Sequence, residues 1–281
     1  MSKYLMRKIL KLTFLVSCVA VIVCLVGIVT TLKEYRDSIN EYEKLESYVT
    51  VTEEEPKEEV QEVKTEDTVS EPVEEVVEEV SEINVDFEMD FNALKDINSD
   101  LIGWIYYGPL ELSYPVVIGK VDDYYEHYSF ENEKNLAGAI FMDYLCKSNF
   151  TSFNSVIYGH NMRNGTMFGS LKRLMNEPEL LEEDPYFYIF TDDEALKYKI
   201  VSAYYANKKS DTYNLELEYT LDNMKDYVKY MQEKGVYTDE EFFKEPVTED
   251  LKICTLSTCH GAHSDQRTVI HGILVAREDR N

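Results

Sequence analysis

Hydrophobic residues are distributed in three different ways along this chain. The first is an uninterrupted run over residues 12–32, LTFLVSCVAVIVCLVGIVTTL, which contains no charged side chain. In an α-helix, a run of this length extends about 31 Å, which is enough to cross a bilayer core of about 30 Å. The residues before it carry Lys3, Arg7, Lys8 and Lys11 and no acidic side chain. This pattern predicts a cytoplasmic basic tail over 1–11 and a transmembrane signal anchor over 12–32.

The basic flank also predicts the orientation of the chain in the membrane. Because the positive charges precede the span, we expect everything after residue 32 to lie outside the cell. A cleaved signal peptide would have a shorter apolar core and a small-residue cleavage site, which the sequence lacks. Residues 15–18, LVSC, resemble a lipoprotein processing box, but the apolar run continues well past them. The length of the run therefore favours an uncleaved anchor.

The second region, residues 33–84, is dominated by acidic side chains. Residues 51–90 contain seventeen Asp and Glu residues against Lys57 and Lys64, and the whole chain has a net charge of −26. Low apolar content and repulsion between like charges favour an extended, solvated segment. We predict that 33–84 is an acidic extracellular spacer that gives the rest of the chain reach from the membrane.

The third region, residues 85–281, has the length and apolar content of a single globular domain. Apolar residues at helical spacing predict a helix over about 87–104 and another over 221–234, which stops at Gly235. The remaining apolar residues fall in short β-rich runs between turn signals, a pattern typical of a mainly β barrel or sandwich. The predicted strands are YPVVIG (114–119), GAIFMDY (138–144), SVIYG (155–159), YFYIF (186–190), YKIVSAYYA (198–206), LKICTL (251–256) and RTVIHGILVA (267–276).

Charge and cysteine content narrow the possible functions. The negative net charge argues against nucleic acid as a partner. Two cysteines lie in the predicted span, which leaves Cys146, Cys254 and Cys259 outside, an odd number for a disulfide framework. On one extended strand Cys254 and Cys259 would be about 16 Å apart, too far for a bridge. We therefore expect Cys259 to be a free thiol.

Three side chains are candidates for nucleophilic chemistry. A thiol attacks only as the thiolate, and acyl transfer also needs a proton shuttle and a donor for the developing oxyanion. His160 ends a predicted strand at a turn, where a rigid scaffold presents side chains to a cleft. Arg267 begins the last predicted strand, eight residues after Cys259. Adjacent antiparallel strands would bring Cys259 and Arg267 together.

The same residue types also occur in metal sites and as structural residues. A zinc site formed by Cys254, Cys259, His260 and His263 lacks the paired spacing of known zinc motifs. His271, inside the strand pattern TVIHGILV, is expected to be a structural histidine with satisfied hydrogen bonds. We therefore expect no metal at this cluster.

Short motifs in the chain resemble the catalytic signatures of sortases, the membrane-anchored cysteine transpeptidases of Gram-positive bacteria. These motifs are IYGHNM (157–162), TLSTC (255–259) and the arginine downstream. The stretch over 97–130 and the run GAIFMDY resemble class B sortases in particular. The resemblance implies an eight-stranded closed β-barrel with N-terminal helices and one helix between late strands, and it makes 85–281 the predicted sortase catalytic domain.

The same resemblance implies roles for individual residues. Cys259 would be the nucleophile, His160 the general acid/base, and Arg267 the residue that positions substrate and stabilises the oxyanion. The family cleaves secreted surface proteins after the threonine of a C-terminal sorting pentapeptide. It then passes the acyl group to an amine of peptidoglycan or of a pilin, without a metal or organic cofactor. Ser257 lies two residues before Cys259 and by alternation shares its strand face, which makes it a candidate substrate contact.

The chain departs from the class B pattern next to the nucleophile. Class B sortases often carry an acidic residue directly after the cysteine and a longer gap to the arginine, whereas here His260 follows and the connection is short. Asp265 is the candidate for an acidic helper. Two alternatives remain: a hydrolytic cysteine peptidase, in which water takes the acyl group, and a membrane-tethered binding module in which Cys259 is inert.

Overall fold

The computed structural model describes residues 3–53, 83–121, 123–215, 219–258 and 266–280. Beyond residue 46, β-strand is the main regular secondary structure of the described residues. The strands are β1 (Val49–Glu53), β2 (Val85–Met89), β3 (Leu101–Tyr107), β4 (Leu112–Ile118), β5 (Ile140–Met142), β6 (Asn154–Gly159), β7 (Tyr186–Phe190), β8 (Glu194–Asn207), β9 (Tyr237–Thr238), β10 (Ile253–Thr258) and β11 (Gln266–Asp279).

Eight of these strands close into a barrel. Their order is β11-β10-β6-β5-β4-β3-β7-β8, and β8 pairs back onto β11. β8 and β11 are each 14 residues long and pair antiparallel along almost their whole length, which closes the ring. The two-residue strand β9 adds an edge to β8. The prediction of a mainly β, eight-stranded closed barrel is thereby confirmed.

The two strands that lead toward the predicted site, β6 and β10, form the buried centre of one wall. They pair in parallel, and every residue of both is buried. Because both faces of these strands are covered, neither strand shows the alternation of buried and exposed residues seen in a half-exposed strand. Phe187 and Tyr198 pair across β7 and β8 and stack in the core, with ring centroids 5.2 Å apart. Trp104 faces the other side of the sheet and packs against Phe87 of β2.

Helices cover the barrel and its ends. The predicted helix before the last two strands is confirmed, because it spans Leu221–Lys234 and Gly235 follows it. Thr220 caps its start by accepting a hydrogen bond from the backbone N–H of Asn223 at 3.3 Å. Met224 and Met231 are buried on its inner face. The helices are α1 (Lys3–Glu46), α2 (Phe91–Ile97), α3 (Tyr124–His127), α4 (Arg173–Asn176), α5 (Glu179–Glu183) and α6 (Leu221–Lys234).

The helix predicted over residues 87–104 is wrong at both ends. The structure has β2 up to Met89, the short helix α2, and then β3 from Leu101. Asp90 starts α2 by accepting a hydrogen bond from the Ala93 N–H at 3.0 Å, and Asn98 ends it in an extended conformation. Downstream, the β-rich sequence LIGWIYY gains ladder pairing on both edges, from β4 and β7. That pairing outweighs a helical spacing of four apolar residues.

α1 continues beyond the apolar run and contacts the barrel. It spans 44 residues, and by length and composition it is the one helix among the described residues able to cross a membrane. Tyr42 and Leu45 at its C-terminal end are buried in the main core. β1 then pairs with β2. Residues 33–53 of the predicted spacer are therefore helix and strand, while 54–82 lie outside the described residues.

Truncation of Leu45 is expected to destabilise the barrel. Its side chain is fully buried, so Leu45→Ala should lower the free energy of unfolding by about 2–5 kcal/mol. The measurement is urea unfolding of the detergent-solubilised chain, followed by fluorescence of Trp104, the sole tryptophan. Glu43→Ala, at an exposed position of the same helix, is the control and should change stability little. Equal effects of the two changes would mean that α1 is not part of the folded unit.

Candidate active site

The ends of β6 and β10 and the start of β11 meet at one rim of the barrel. The parallel register pairs Thr258, the last residue of β10, with Gly159, the last residue of β6. On the other edge of β10, the backbone N–H of Thr268 donates to Thr258 Oγ1 at 2.9 Å. The end of β10 therefore lies between the residue that precedes His160 and the residue that follows Arg267.

His160 is half-buried and held by a backbone contact. Its Nε2 lies 2.7 Å from the backbone oxygen of Glu126, in α3. Because a carbonyl only accepts hydrogen bonds, Nε2 carries the proton in this contact, and Nδ1 is the nitrogen able to take up another. Gly159 allows the strand end to pass close to the core, since a methyl group there would lie 2.7 Å from the ring of Phe168.

Arg267 extends over two tyrosine rings. Its guanidinium carbon is 5.1 Å from the ring centroid of Tyr213 and 5.7 Å from that of Tyr158, within the range of cation–π attraction. Within the described part of the chain, Arg267 Nε is a buried donor without a hydrogen-bond partner. Leaving such a donor unpaired costs about 1–3 kcal/mol, which an acceptor atom of a ligand would recover.

Both tyrosines beneath Arg267 are themselves anchored. Tyr158 donates to Asp143 Oδ2 at 3.0 Å, and burial together with that carboxylate holds the pKa of Tyr158 far above its usual range. Its hydroxyl therefore stays protonated and remains a donor. The Tyr213 hydroxyl is 2.8 Å from Ser257 Oγ. The arginine thus lies against a rigid aromatic surface.

Ser257 has a different setting from the one its strand position suggested. Its side chain is fully buried, and its hydroxyl also donates to the Thr258 carbonyl at 3.3 Å. In this structure Ser257 reaches the site through Tyr213. Its direct contact with substrate stays a prediction.

A groove of about 460 Å³ runs along this rim. Its lining combines Arg267 with the two tyrosines beneath it and with acidic side chains. Glu126, whose carbonyl holds His160, is part of that lining. The groove has a volume typical of ligand-binding clefts, and it joins the surroundings of His160 to Arg267.

Four predicted residues lie outside the described residues: Cys259, His260, His263 and Asp265. Cys146 and Cys254, the other cysteines beyond the apolar run, are buried. Burial raises the pKa of the Cys146 thiol to about 12 and that of the Cys254 thiol well above its ordinary value. Both are therefore thiols at neutral pH, which fits structural cysteines.

His271 is a structural histidine, as the sequence predicted. It is fully buried, with Nδ1 2.8 Å from Thr255 Oγ1 and Nε2 2.8 Å from the Tyr204 hydroxyl. Burial lowers the pKa of His271 to about 3. It is neutral under all ordinary conditions.

Sequence reasoning missed the tyrosines and the carboxylate behind Arg267. Tyr158 precedes His160 by two residues and lies in a predicted strand. Its position on the same face as His160 could therefore have been predicted from alternation. Tyr213 lies in a one-turn 3₁₀ helix, Asp211–Tyr213, far from β11 in the sequence. No local pattern distinguishes it from the other tyrosines of this chain.

Comparisons with known proteins agree with this architecture. The sortase domain family model matches residues 110–275. Sortase B of Listeria monocytogenes is 31% identical over 199 residues, which cover 69% of this chain and 78% of that protein. The crystal structure of sortase B from Bacillus anthracis superposes with a TM-score of 0.64 at 25% identity, covering 86% of this chain and 98% of the other. The complex of Staphylococcus aureus sortase B with substrate gives a TM-score of 0.59 at 27% identity, covering 66% and 83%.

The chain belongs to the sortase family, and its relatives are class B sortases. It is therefore a cysteine transpeptidase, an enzyme that transfers an acyl group from a peptide bond to an amine.

The buried His271 makes stability depend on pH in a defined direction. In the unfolded chain this histidine takes up a proton near pH 6.5, whereas in the folded chain it stays neutral down to about pH 3. The unfolded state thus binds more protons below pH 6.5, so this contribution to stability is present above that pH and is lost as pH falls toward 3. Between about pH 7.5 and about pH 5, urea unfolding should show a smaller loss of stability for His271→Gln than for the unchanged protein. Equal losses would contradict burial of a neutral histidine.

Proposed function

We propose that this sortase cleaves a C-terminal sorting pentapeptide after its threonine and joins the released acyl group to a peptidoglycan amine. In this proposal Cys259 is the nucleophile, His160 the general acid/base and Arg267 the oxyanion donor. The observation that carries the proposal is the position of Thr258. The strand that leads into Cys259 ends there, next to Gly159 on one side and Thr268 on the other.

Chain connectivity limits how far apart these three residues can be, which supports the proposal. Consecutive Cα atoms are about 3.8 Å apart, so Cys259, His160 and Arg267 each lie one residue from this paired set. Cys259 follows Thr258, His160 follows Gly159, and Arg267 precedes Thr268. The nucleophile, the base and the donor required for acyl transfer are then neighbours at a single rim.

The proposed reaction has two halves. The Cys259 thiolate attacks the threonine carbonyl, and the oxyanion that forms accepts hydrogen bonds from Arg267. The buried Nε–H of Arg267 has no hydrogen-bond partner among the described residues and is available for this role. Collapse of this intermediate breaks the peptide bond, and His160 gives the leaving amine a proton. An incoming amine then attacks the thioester and loses its proton to His160, and the thiolate leaves. The net change is exchange of one amine for another.

The surroundings of this site support a membrane-anchored enzyme. α1 contains the uncharged run over 12–32, and in the proposed topology residues 1–11 are cytoplasmic and the domain over 85–281 is extracellular. The partners in that setting are secreted surface proteins that carry a C-terminal sorting signal, the membrane itself, and a peptidoglycan precursor that offers an amine. Both macromolecular substrates of such a reaction are found at the outer face of the membrane.

Product analysis tests this function. The purified chain is incubated with a peptide that contains a sorting pentapeptide, with and without an added amine such as triglycine, and the products are identified by mass spectrometry. We expect the amine-linked product from the unchanged protein and none from Cys259→Ala, because that variant lacks the nucleophile. Cys146→Ala, at a buried cysteine of raised pKa, is the matched control and should retain activity. Release of free acid alone would assign a hydrolytic peptidase, and turnover by Cys259→Ala would remove the thioester mechanism.

Substitution of Arg267 tests the oxyanion role. Loss of one oxyanion donor costs on the order of 10² to 10³ in rate, so Arg267→Ala should reduce kcat by about that factor. Arg267→Lys keeps the charge but not the planar fork, and we expect it to be severely impaired as well.

Arg277→Lys provides the control for that experiment. Arg277 stands at the far end of the same strand and pairs with Glu194 at 3.3 Å, so this change should leave kcat unaltered. Alkylation of Cys259 by iodoacetamide should persist in all three variants. Normal turnover by Arg267→Ala would exclude Arg267 from the reaction.

A further inference from the structure

The end of α1 contacts one particular segment of the domain, residues 124–139, which we name the support segment. Ser38 donates a hydrogen bond to the side-chain oxygen of Asn135. One turn further along, the buried Tyr42 hydroxyl donates to the backbone oxygen of Gly138 at 2.7 Å. Ser38 and Tyr42 are 5% and 7% exposed, so both contacts are shielded from water. The part of α1 beyond the apolar run is thus fastened to the support segment.

The support segment also holds His160. Glu126 at its start accepts the hydrogen bond from His160 Nε2 at 2.7 Å. Gly138 near its end lies beside the same edge of the imidazole, since a methyl group built at Gly138 would be only 3.1 Å from His160 Cδ2, the carbon bonded to Nε2. Both ends of the support segment therefore lie next to the imidazole of His160.

Hydrogen bonds within the support segment connect the surroundings of Glu126 to those of Gly138. The Ala139 N–H donates to the Tyr125 carbonyl at 2.9 Å, and the Asn135 N–H donates to the His127 carbonyl at 3.0 Å. Glu126 lies between Tyr125 and His127, and Gly138 lies between Asn135 and Ala139. A shift at Gly138 is accordingly passed to the carbonyl that fixes the imidazole.

We propose that Tyr42 is a positioning residue for His160, so that docking of the anchor helix is part of catalytic competence. This inference rests on the proposed role of His160 as general acid/base. The Tyr42 hydroxyl satisfies a buried carbonyl, and its removal leaves that oxygen unpaired, which drives the segment to rearrange. General acid/base catalysis depends on sub-ångström placement of the proton donor and acceptor. The lost hydrogen bond therefore affects the rate of acyl transfer through His160.

Other contacts of α1 with the segment serve as comparison. Lys44 pairs with Glu131 at 2.6 Å, but both side chains are solvent-exposed enough for the pair to contribute little. Glu131 is also distant in sequence from both residues that touch the imidazole. Tyr42 donates to Gly138, and Gly138 itself lies next to His160.

The test compares two tyrosine-to-phenylalanine changes in the full chain in detergent micelles. Tyr42→Phe removes only the hydroxyl that contacts Gly138. Tyr35→Phe makes the same change two turns earlier on α1 and is the matched control. We expect kcat for amine transfer to fall about tenfold in Tyr42→Phe with KM within about twofold, and neither to change in Tyr35→Phe. An unchanged kcat in Tyr42→Phe overturns the proposal.

A second readout does not require activity. In protein labelled with ¹⁵N-histidine, the ring resonances of His160, assigned through His160→Gln, should change position in Tyr42→Phe and stay in place in Tyr35→Phe. A fall in kcat with unaltered His160 resonances would overturn the route through His160. If the unchanged protein transfers no acyl group, the proposed function fails, while the resonances still decide whether Tyr42 positions the imidazole. If Tyr42→Phe does not fold, Ser38→Ala replaces it with the same two expected outcomes.

Discussion

The parallel pairing of β6 with β10 is the interaction on which the rest of the site depends. Its six registered residue pairs, from Ile253 with Asn154 to Thr258 with Gly159, hold two fully buried strands side by side. Because both strands end at the same rim, the segments that follow them emerge together. A slip of one residue would turn each side chain to the opposite face of the wall. Burial on both faces resists such a slip, so packing of the core fixes the geometry of the chemistry.

β11, on the other side of β10, adds the guanidinium of Arg267 to this rim. Arg267 lies near the start of β11, and its long side chain packs on two tyrosine rings. Aromatic faces hold a guanidinium in place while they leave its N–H groups available, whereas a carboxylate would occupy those groups. The buried and unpaired Nε is a cost to the folded state. An acceptor atom of a bound ligand would recover this cost.

The sequence was informative wherever a local pattern and its tertiary environment agree. β6 and β10 were predictable because short β-rich runs between turn residues have few other uses, and the barrel followed from their number together with the motifs IYGHNM and TLSTC. The segment around α2 misled the prediction, because apolar residues at helical spacing continue past Asn98, where the helix ends. Pairing with β4 and β7 makes the residues from Leu101 onward a strand. Acidic composition likewise concealed the contacts of α1, since Tyr42 and Leu45 stand alone among charged neighbours. Their partners are about a hundred residues away, and no local spacing encodes them.

The continuity of α1 gives the anchor a property that a coiled spacer would lack. A helix advances 1.5 Å and turns about 100° with each residue, so the ten residues from Leu32 to Tyr42 set a rise of about 15 Å and a definite azimuth. If the apolar run spans a bilayer, this helix sets the height of the groove above the lipid surface and the direction of the groove relative to the helix axis. One inserted residue before Ser38 would rotate the domain by about 100° about that axis and raise it by about 1.5 Å. The groove is therefore held at one height above the membrane, which suits substrates presented at that height.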